Sequence, residues 1–263
     1  LLERLIAAQS ADRVRMPGMR EDRRAIIGGG LSVMRAIFSL LGITEMQHAA
    51  GGLRHGLICD LLGTTNTYGD LRTKSVLRLA SKFNVDTTHG ERVGAVATHL
   101  LQQVLGGPLD EHHPEHGRTF RKLNWAAKLH EIGSHISHSD YHKHGAYILD
   151  NADAAGFSLS EMHRLSLLVL GHRGKLRKLE TSLEQDDLVL QLLCLRVAVI
   201  LCHARRAPDL QGMVLERPKP DQRTLRLHCR SGWAAAFPQS AHLLREEMQQ
   251  WQKTPWSLEL LGA

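Results

Sequence analysis

Apolar residues recur at helical spacing through most of this chain and alternate at strand spacing only near its end. Over residues 89–105, Val93, Val96, Ala97, Leu100, Leu101 and Val104 fall on one face of a helix. The same period predicts helices over 71–83, 120–132, 142–151, 159–170 and 188–203, an all-helical middle. Residues 106–117 carry Pro108, Pro114 and three histidines and read as a loop. After Ala207-Pro208 the pattern changes. Residues 224–229 and 256–260 alternate like half-buried strands, with an amphipathic helix over 241–253 between them.

The opening block is different again. Residues 1–12 read as a helix end, and Pro17-Gly18 breaks the chain. Ile26 and Ile27 lead into Gly28-Gly29-Gly30, then a helix over 31–41 closed by Gly42. A short strand is expected over 43–49 and a helix over 53–62, closed by Gly63. This block is too short to close its own sheet and core, so it reads as the tail of an α/β domain. Residues 64–70 are small and polar, a linker. The expected division is therefore 1–65, 66–207 and 208–263. The expected fold class is mainly α with small α/β parts.

Composition narrows the function. The chain has 263 residues, 43% hydrophobic and 23% charged, as a soluble globular protein does. Its formal net charge of +6, with 17 histidines, suits an anionic partner such as a nucleotide, polyphosphate, nucleic acid or acidic lipid. Cys59, Cys194, Cys202 and Cys229 are scattered without a CxxC pair, which points to a reduced, cytoplasmic protein. No run of about eighteen apolar residues is present, so no membrane span is expected. The expected location is the cytoplasm, or the inner-membrane surface. The chain starts at Leu1 and reads as the later part of a longer protein. No G-x-S-x-G elbow occurs, which leaves a serine hydrolase unsupported. Gly28-Gly29-Gly30 lacks the Lys-Ser/Thr ending of a phosphate loop.

The densest chemistry is Leu129-His130-Glu131-Ile132-Gly133, followed by His135, His138, His142 and His144. With His89 before it and His172 after it, this order resembles the HD superfamily of metal-dependent phosphohydrolases. Imidazoles there anchor divalent metals and a short Asp bridges them to activate water. Two letters depart from that pattern. Glu131 stands where Asp is usual, and Leu195-Arg196-Val197-Ala198-Val199 ends in Val where the superfamily has Asp. Two readings follow: a remnant metal site of His89, His130, Glu131, His144 and His172, or a degenerate helical domain whose histidines are buried or hydrogen-bonded. The departures favour the second.

The degenerate form, through Ile136-Ser137-His138-Ser139 and His142-Lys143-His144-Gly145-Ala146-Tyr147-Ile148-Leu149, resembles the C-terminal half of bacterial exopolyphosphatases and guanosine pentaphosphate phosphatases. The stretches Gly18-Met19-Arg20-Glu21-Asp22-Arg23-Arg24 and Gly51-Gly52-Leu53-Arg54-His55-Gly56-Leu57 resemble the end of that family's second actin-like (ribonuclease H-like) domain. The resemblance implies an HD-like helical domain flanked by that tail and by a small C-terminal α+β unit. It implies that the catalytic groups, and a divalent metal such as Mg2+, sit in actin-like domains before this chain, with no catalytic residue here. It also implies a homodimer.

What this half would then do is hold substrate. His172-Arg173-Gly174-Lys175-Leu176-Arg177-Lys178 puts four fixed cations and a histidine at a helix end and the loop after it. Lys143, with His138 and His142, is the second candidate for gripping a phosphate chain. Arg205-Arg206 and Arg20, Arg23 and Arg24 are weaker ones. The leading expectation is hydrolysis of terminal orthophosphate from inorganic polyphosphate by the whole protein. Guanosine pentaphosphate phosphatase and an autonomous HD-type phosphohydrolase are the alternatives, and a non-catalytic polyanion-binding module is a third. No sequence-specific nucleic acid is expected as partner. His112, His113 and His116 read as solvated, and Trp125, Trp233, Trp251 and Trp256 as core or interface anchors.

Overall fold

The structure, a computed structural model, describes residues 2–10, 13–14, 19–47, 52, 54, 56, 68–106, 114–219 and 222–262. It divides into two compact units, Leu1–Ala49 and Ala50–Ala263.

In the first unit, α1 (Leu2–Ala8) and α2 (Ile27–Leu41) flank a 3-10 turn at Glu21–Arg23. The three glycines lie inside the first turns of α2, so the helix starts earlier than the apolar pattern predicts. Gly42 ends it at φ +63°, the left-handed position glycine occupies without strain. Of the strand expected over 43–49, the described residues 43–47 have no regular structure, and 48–49 lie outside the described residues. Neither helix buries a residue, and Ile6, Val33, Leu40 and Leu41 are exposed. That agrees with a segment too short to build its own core. Of the helix expected over 53–62, only residues 54 and 56 are described.

The second unit begins with α3 (Tyr68–Lys82), α4 (Thr87–Val104) and α5 (Pro114–Leu129). A 3-10 turn at Ile132–His135 leads to α6 (Tyr141–Asn151) and α7 (Leu159–Gly171). A longer 3-10 segment, Leu176–Ser182, precedes α8 (Asp186–Leu201). The loop expected over 106–117 is shorter than predicted, because α5 starts at Pro114. Proline suits that first position, where its missing N–H would have no helical partner. α8 is apolar on every side and buried from Leu188 to Ala198, so it forms the axis of the bundle. α4 and α5 pack together, as do α6 and α7, and α8 packs on α4.

Then come β1 (Val214–Glu216), β2 (Thr224–His228), α9 (Trp233–Ala236), α10 (Pro238–Trp251) and β3 (Ser257–Leu261). β2 is the central strand, antiparallel to β1 and parallel to β3, with Leu225 opposite Leu258. Three residues are too few for an alternation signal, so β1 was not legible in the sequence. One apolar core runs from Leu100, Leu123 and Leu193 through to Leu227, Trp251 and Leu258. Within it, Arg196 of α8 pairs in bidentate fashion with Glu247 of α10 at 2.5 and 2.6 Å. Arg196 also donates to the Gly171 carbonyl at 2.5 Å, and the Trp251 indole donates to Glu247 at 2.6 Å.

Candidate functional site

The ends of four helices bring the histidines together. His89 sits in the first turn of α4, where its backbone N–H donates to the capping carboxylate of Asp86 at 2.9 Å. His130 and Glu131 directly follow α5. Gly90 lets those two helices touch, since a Cβ there would stand 2.8 Å from Lys128 Cα. His142 opens α6 and His172 caps the end of α7. Gly133, in the 3-10 turn that precedes α6, lets that turn pack against the start of α6: a side chain would overlap the Tyr141 carbonyl oxygen and the Gly145 nitrogen.

The result is a row of imidazoles. Ring centroids are 5.5 Å apart from His89 to His130, 5.2 Å from His130 to His172, and 6.4 Å from His172 to His142. All four side chains are buried. The Nδ1–H groups of His130 and His172 donate to the Ala127 and Val169 carbonyls, each at 2.6 Å. The Tyr141 hydroxyl lies 3.4 Å from His172 Nε2. Burial is the main cause that pushes His130 down to about 4 and His172 well below the ordinary histidine range. His142 is also pushed down to about 4, by burial first and then by Lys178 and Arg173. Burial lowers His89 too. The row is therefore uncharged at neutral pH.

One atom from each of His89, His130 and Glu131 lies within 4.8 Å of the others, a spacing compatible with a metal. The donor set does not fit one. Both Glu131 oxygens are taken by Arg205, at 2.7 and 3.0 Å, and Arg205 also binds Asp86 at 3.0 Å. His89 Nδ1 faces the Arg92 guanidinium at 3.2 Å. His144 is half-buried and contributes no atom to the group, and Val199 packs against the core. A guanidinium fills the charge role that a metal would have, so the degenerate reading is the one these contacts fit.

The cations lie at the His172 end of the row. The Arg173 guanidinium stands 4.6 Å from the Tyr141 ring centroid. Lys178 Nζ donates to the Arg173 carbonyl at 2.8 Å. Gly174, at φ +73°, leaves a gap: a Cβ there would be 3.5 Å from both His142 Nε2 and Lys178 Nζ. Burial, then Arg196 and Lys143, push the Lys178 ammonium down to about 7. Lys143 pairs with Asp140 at 2.9 Å. Lys175, Arg177 and His138 are exposed. Of the eight residues proposed for phosphate binding, Arg173, Lys178 and His142 meet around Gly174 and Tyr141, His172 packs against Tyr141, and Lys143 is engaged by Asp140. Tyr141, Gly174, Asp86 and Arg92 were not singled out in the sequence. Asp86 alone carried a signal, as an Asp three residues before His89 at a helix start. Cys59, residues 112–113 and the side chain of His116 lie outside the described residues.

The fold and the site thus define a mainly helical domain with a buried row of histidines and a cationic rim. Residues 71–252 match the model of Ppx/GppA phosphatase, domain III, and residues 1–65 match that of the Ppx/GppA phosphatase family. The chain belongs to the Ppx/GppA phosphatase family. It is 33% identical over 267 residues to the guanosine-5'-triphosphate,3'-diphosphate pyrophosphatase of Aeromonas hydrophila, covering 100% of this chain and 52% of that protein. The same-named proteins of Pseudoalteromonas translucida and Vibrio cholerae are 33% identical over 257 residues and 30% over 262. Those matches cover 96% and 99% of this chain, and 50% and 51% of the relatives. The chain thus spans about half the length of the curated relatives it matches. Among the described residues, no helix is long and apolar enough to cross a membrane.

Proposed function

We propose that this chain is the polyanion-holding, C-terminal half of a phosphatase acting on guanosine 5'-triphosphate 3'-diphosphate. The observation that carries the holding role is the placement of Arg173 and Lys178 beside Gly174, His142 and Tyr141. The neighbouring charge of Lys143 is already paired, with Asp140 at 2.9 Å. Among the described residues neither Arg173 nor Lys178 pairs with a carboxylate, and such cations on a partly desolvated rim attract phosphate. The choice of substrate rests on the relatives' names, which favour the guanosine nucleotide over inorganic polyphosphate. Polyphosphate remains the second reading, because the same rim suits any chain of phosphates. In this proposal the bond-breaking groups, and the Mg2+ that the family resemblance implies, belong to residues outside this chain. Pairing of two copies is part of the same proposal.

The test uses the full-length protein. We expect kcat/KM for guanosine 5'-triphosphate 3'-diphosphate to exceed that for polyphosphate by at least about tenfold. R173Q combined with K178Q raises KM about tenfold, roughly one charge-assisted contact, with kcat held within about twofold. Turnover of polyphosphate alone would overturn the substrate assignment. An unchanged KM in the double variant would overturn the role of the rim.

A further inference from the structure

Lys178 serves the rim as a charge, yet the uncharged form of a lysine amine is a nucleophile. A lysine becomes one near neutral pH when it is desolvated or set beside other cations. Both conditions hold here. Lys178 is half-buried in the Leu176–Ser182 segment. Burial acts most against its charge, followed by Arg196 of α8, Lys143 of α6 and Arg173. Asp140, just before α6, acts the other way, and Lys143 engages it at 2.9 Å. The His142 imidazole, also of α6, is uncharged at neutral pH. About half of the Lys178 amine is then uncharged as well.

The surroundings show what can reach this amine. Lys178 Nζ gives one hydrogen to the Arg173 carbonyl at 2.8 Å, and no carboxylate among the described residues pairs with it. The position a Cβ would take on Gly174 lies 3.5 Å from this nitrogen and 3.5 Å from His142 Nε2. No side chain fills that position, because residue 174 is an exposed glycine at φ +73°. A carbonyl carbon placed there stands at the outer edge of the near-attack range of about 3–3.5 Å. The Arg173 guanidinium, 4.6 Å from the Tyr141 ring centroid, supplies a cation that is always charged. A nucleophilic amine, an open approach and a cation for an anionic leaving group therefore adjoin one another.

We infer that Lys178 is an acylation site that takes its acyl group from a small acyl phosphate. The dianionic phosphate lies on Arg173, and the carbonyl carbon, one bridging oxygen away, faces the amine. The nitrogen bonds to that carbon, the carbon–oxygen bond to phosphate breaks, and the phosphate leaves with the electron pair. The amine's proton goes to the departing phosphate, so the products are an amide and hydrogen phosphate. Nothing is oxidised or reduced. The amide is uncharged, so acylation removes one cation from the rim. A weaker hold on the nucleotide follows only if the holding role proposed above is right; the reactivity of the amine does not depend on it.

Acetyl phosphate is the probe, added to the full-length protein while mass spectrometry of digested samples follows each lysine over time. At neutral pH, Lys178 gains an acetyl group at least about tenfold faster than Lys253, an exposed lysine just after α10. The second-order rate constant reports the free amine, so it is half-maximal near pH 7 and level above about pH 8. R173Q keeps the backbone carbonyl that holds Lys178, and it slows the reaction about tenfold, the size of one charge-assisted contact. With p-nitrophenyl acetate, which carries no phosphate, R173Q changes the rate at Lys178 by less than about threefold. Lys178 reacting no faster than Lys253 overturns the inference, and so does an R173Q effect that is equal for the two reagents. If acetylated Lys178 leaves KM for guanosine 5'-triphosphate 3'-diphosphate unchanged, the holding role fails while the acylation site stands.

Discussion

The buried imidazoles make this fold sensitive to acid in a definite direction. His130 and His142 stay neutral down to about pH 4, whereas an exposed histidine takes up its proton near 6.5. Between those values the unfolded chain binds more protons than the folded one. The stability these groups allow is fully present above about pH 6.5 and is lost as pH falls toward 4. Each such imidazole adds about 1.4 kcal/mol per pH unit to that slope. Urea midpoints measured at pH 7, 6 and 5 should fall with that slope, and H142Q should flatten it by about one imidazole's share; an unchanged slope rules the account out. Lys178 behaves in the opposite sense toward a ligand. Its ammonium is about half charged at neutral pH, and bound phosphate favours the charged form. Affinity for the nucleotide is therefore highest below pH 7 and declines as pH rises through it. K178R, whose guanidinium stays charged, should bind with a flatter pH profile. Identical profiles for the two proteins would remove Lys178 from the rim.

At the scale of elements, the contact that ties the helical bundle to the C-terminal segment is the pair of Arg196 and Glu247, both buried. Removing one partner leaves a desolvated charge, so E247L should cost about 3–5 kcal/mol in urea unfolding. R196M with E247L removes both charges and should recover about half of that loss, less what the Gly171 carbonyl and Trp251 indole forfeit. A double variant no more stable than the single one would mean the pair is not the source of the cost. This pair also marks where reading the sequence stops. Helices α3 to α7 and α10 were legible because one period repeats over three or more turns, and α8 because its apolar run is too long for a strand. Arg196 was visible only as a motif letter, and its partner lies 51 residues away. The site divides the same way. His89, His130, Glu131 and His172 were legible as a set of chemical types, but spacing along a chain carries no distance between rings. Arg205, which takes both Glu131 oxygens, comes from 74 residues further on. In the first unit the strand expected over 43–49 has no neighbouring strand among the described residues to pair with.

For the molecule as a whole, the deciding quantity is charge. The chain carries a formal +6, and its acids are largely spent on internal pairs such as Arg164 with Asp187, Arg217 with Asp186 and Arg223 with Glu184. Among the described residues, Arg173 and Lys178 at the rim around Gly174 pair with no carboxylate. A nucleotide with five phosphates releases counterions when those cations displace them, so its affinity must fall as salt rises. Each fixed cation that truly touches phosphate contributes roughly one unit to the slope of log affinity against log salt. Removing Arg173 should lower that slope by roughly one, and removing Lys175 or Arg177, if they serve only solubility, should leave it unaltered. Equilibrium dialysis of the labelled nucleotide between about 50 and 200 mM salt separates the cases. A slope insensitive to R173Q, but reduced by K175Q or R177Q, would move the binding path away from Tyr141 and along the outer face of the Leu176–Ser182 segment.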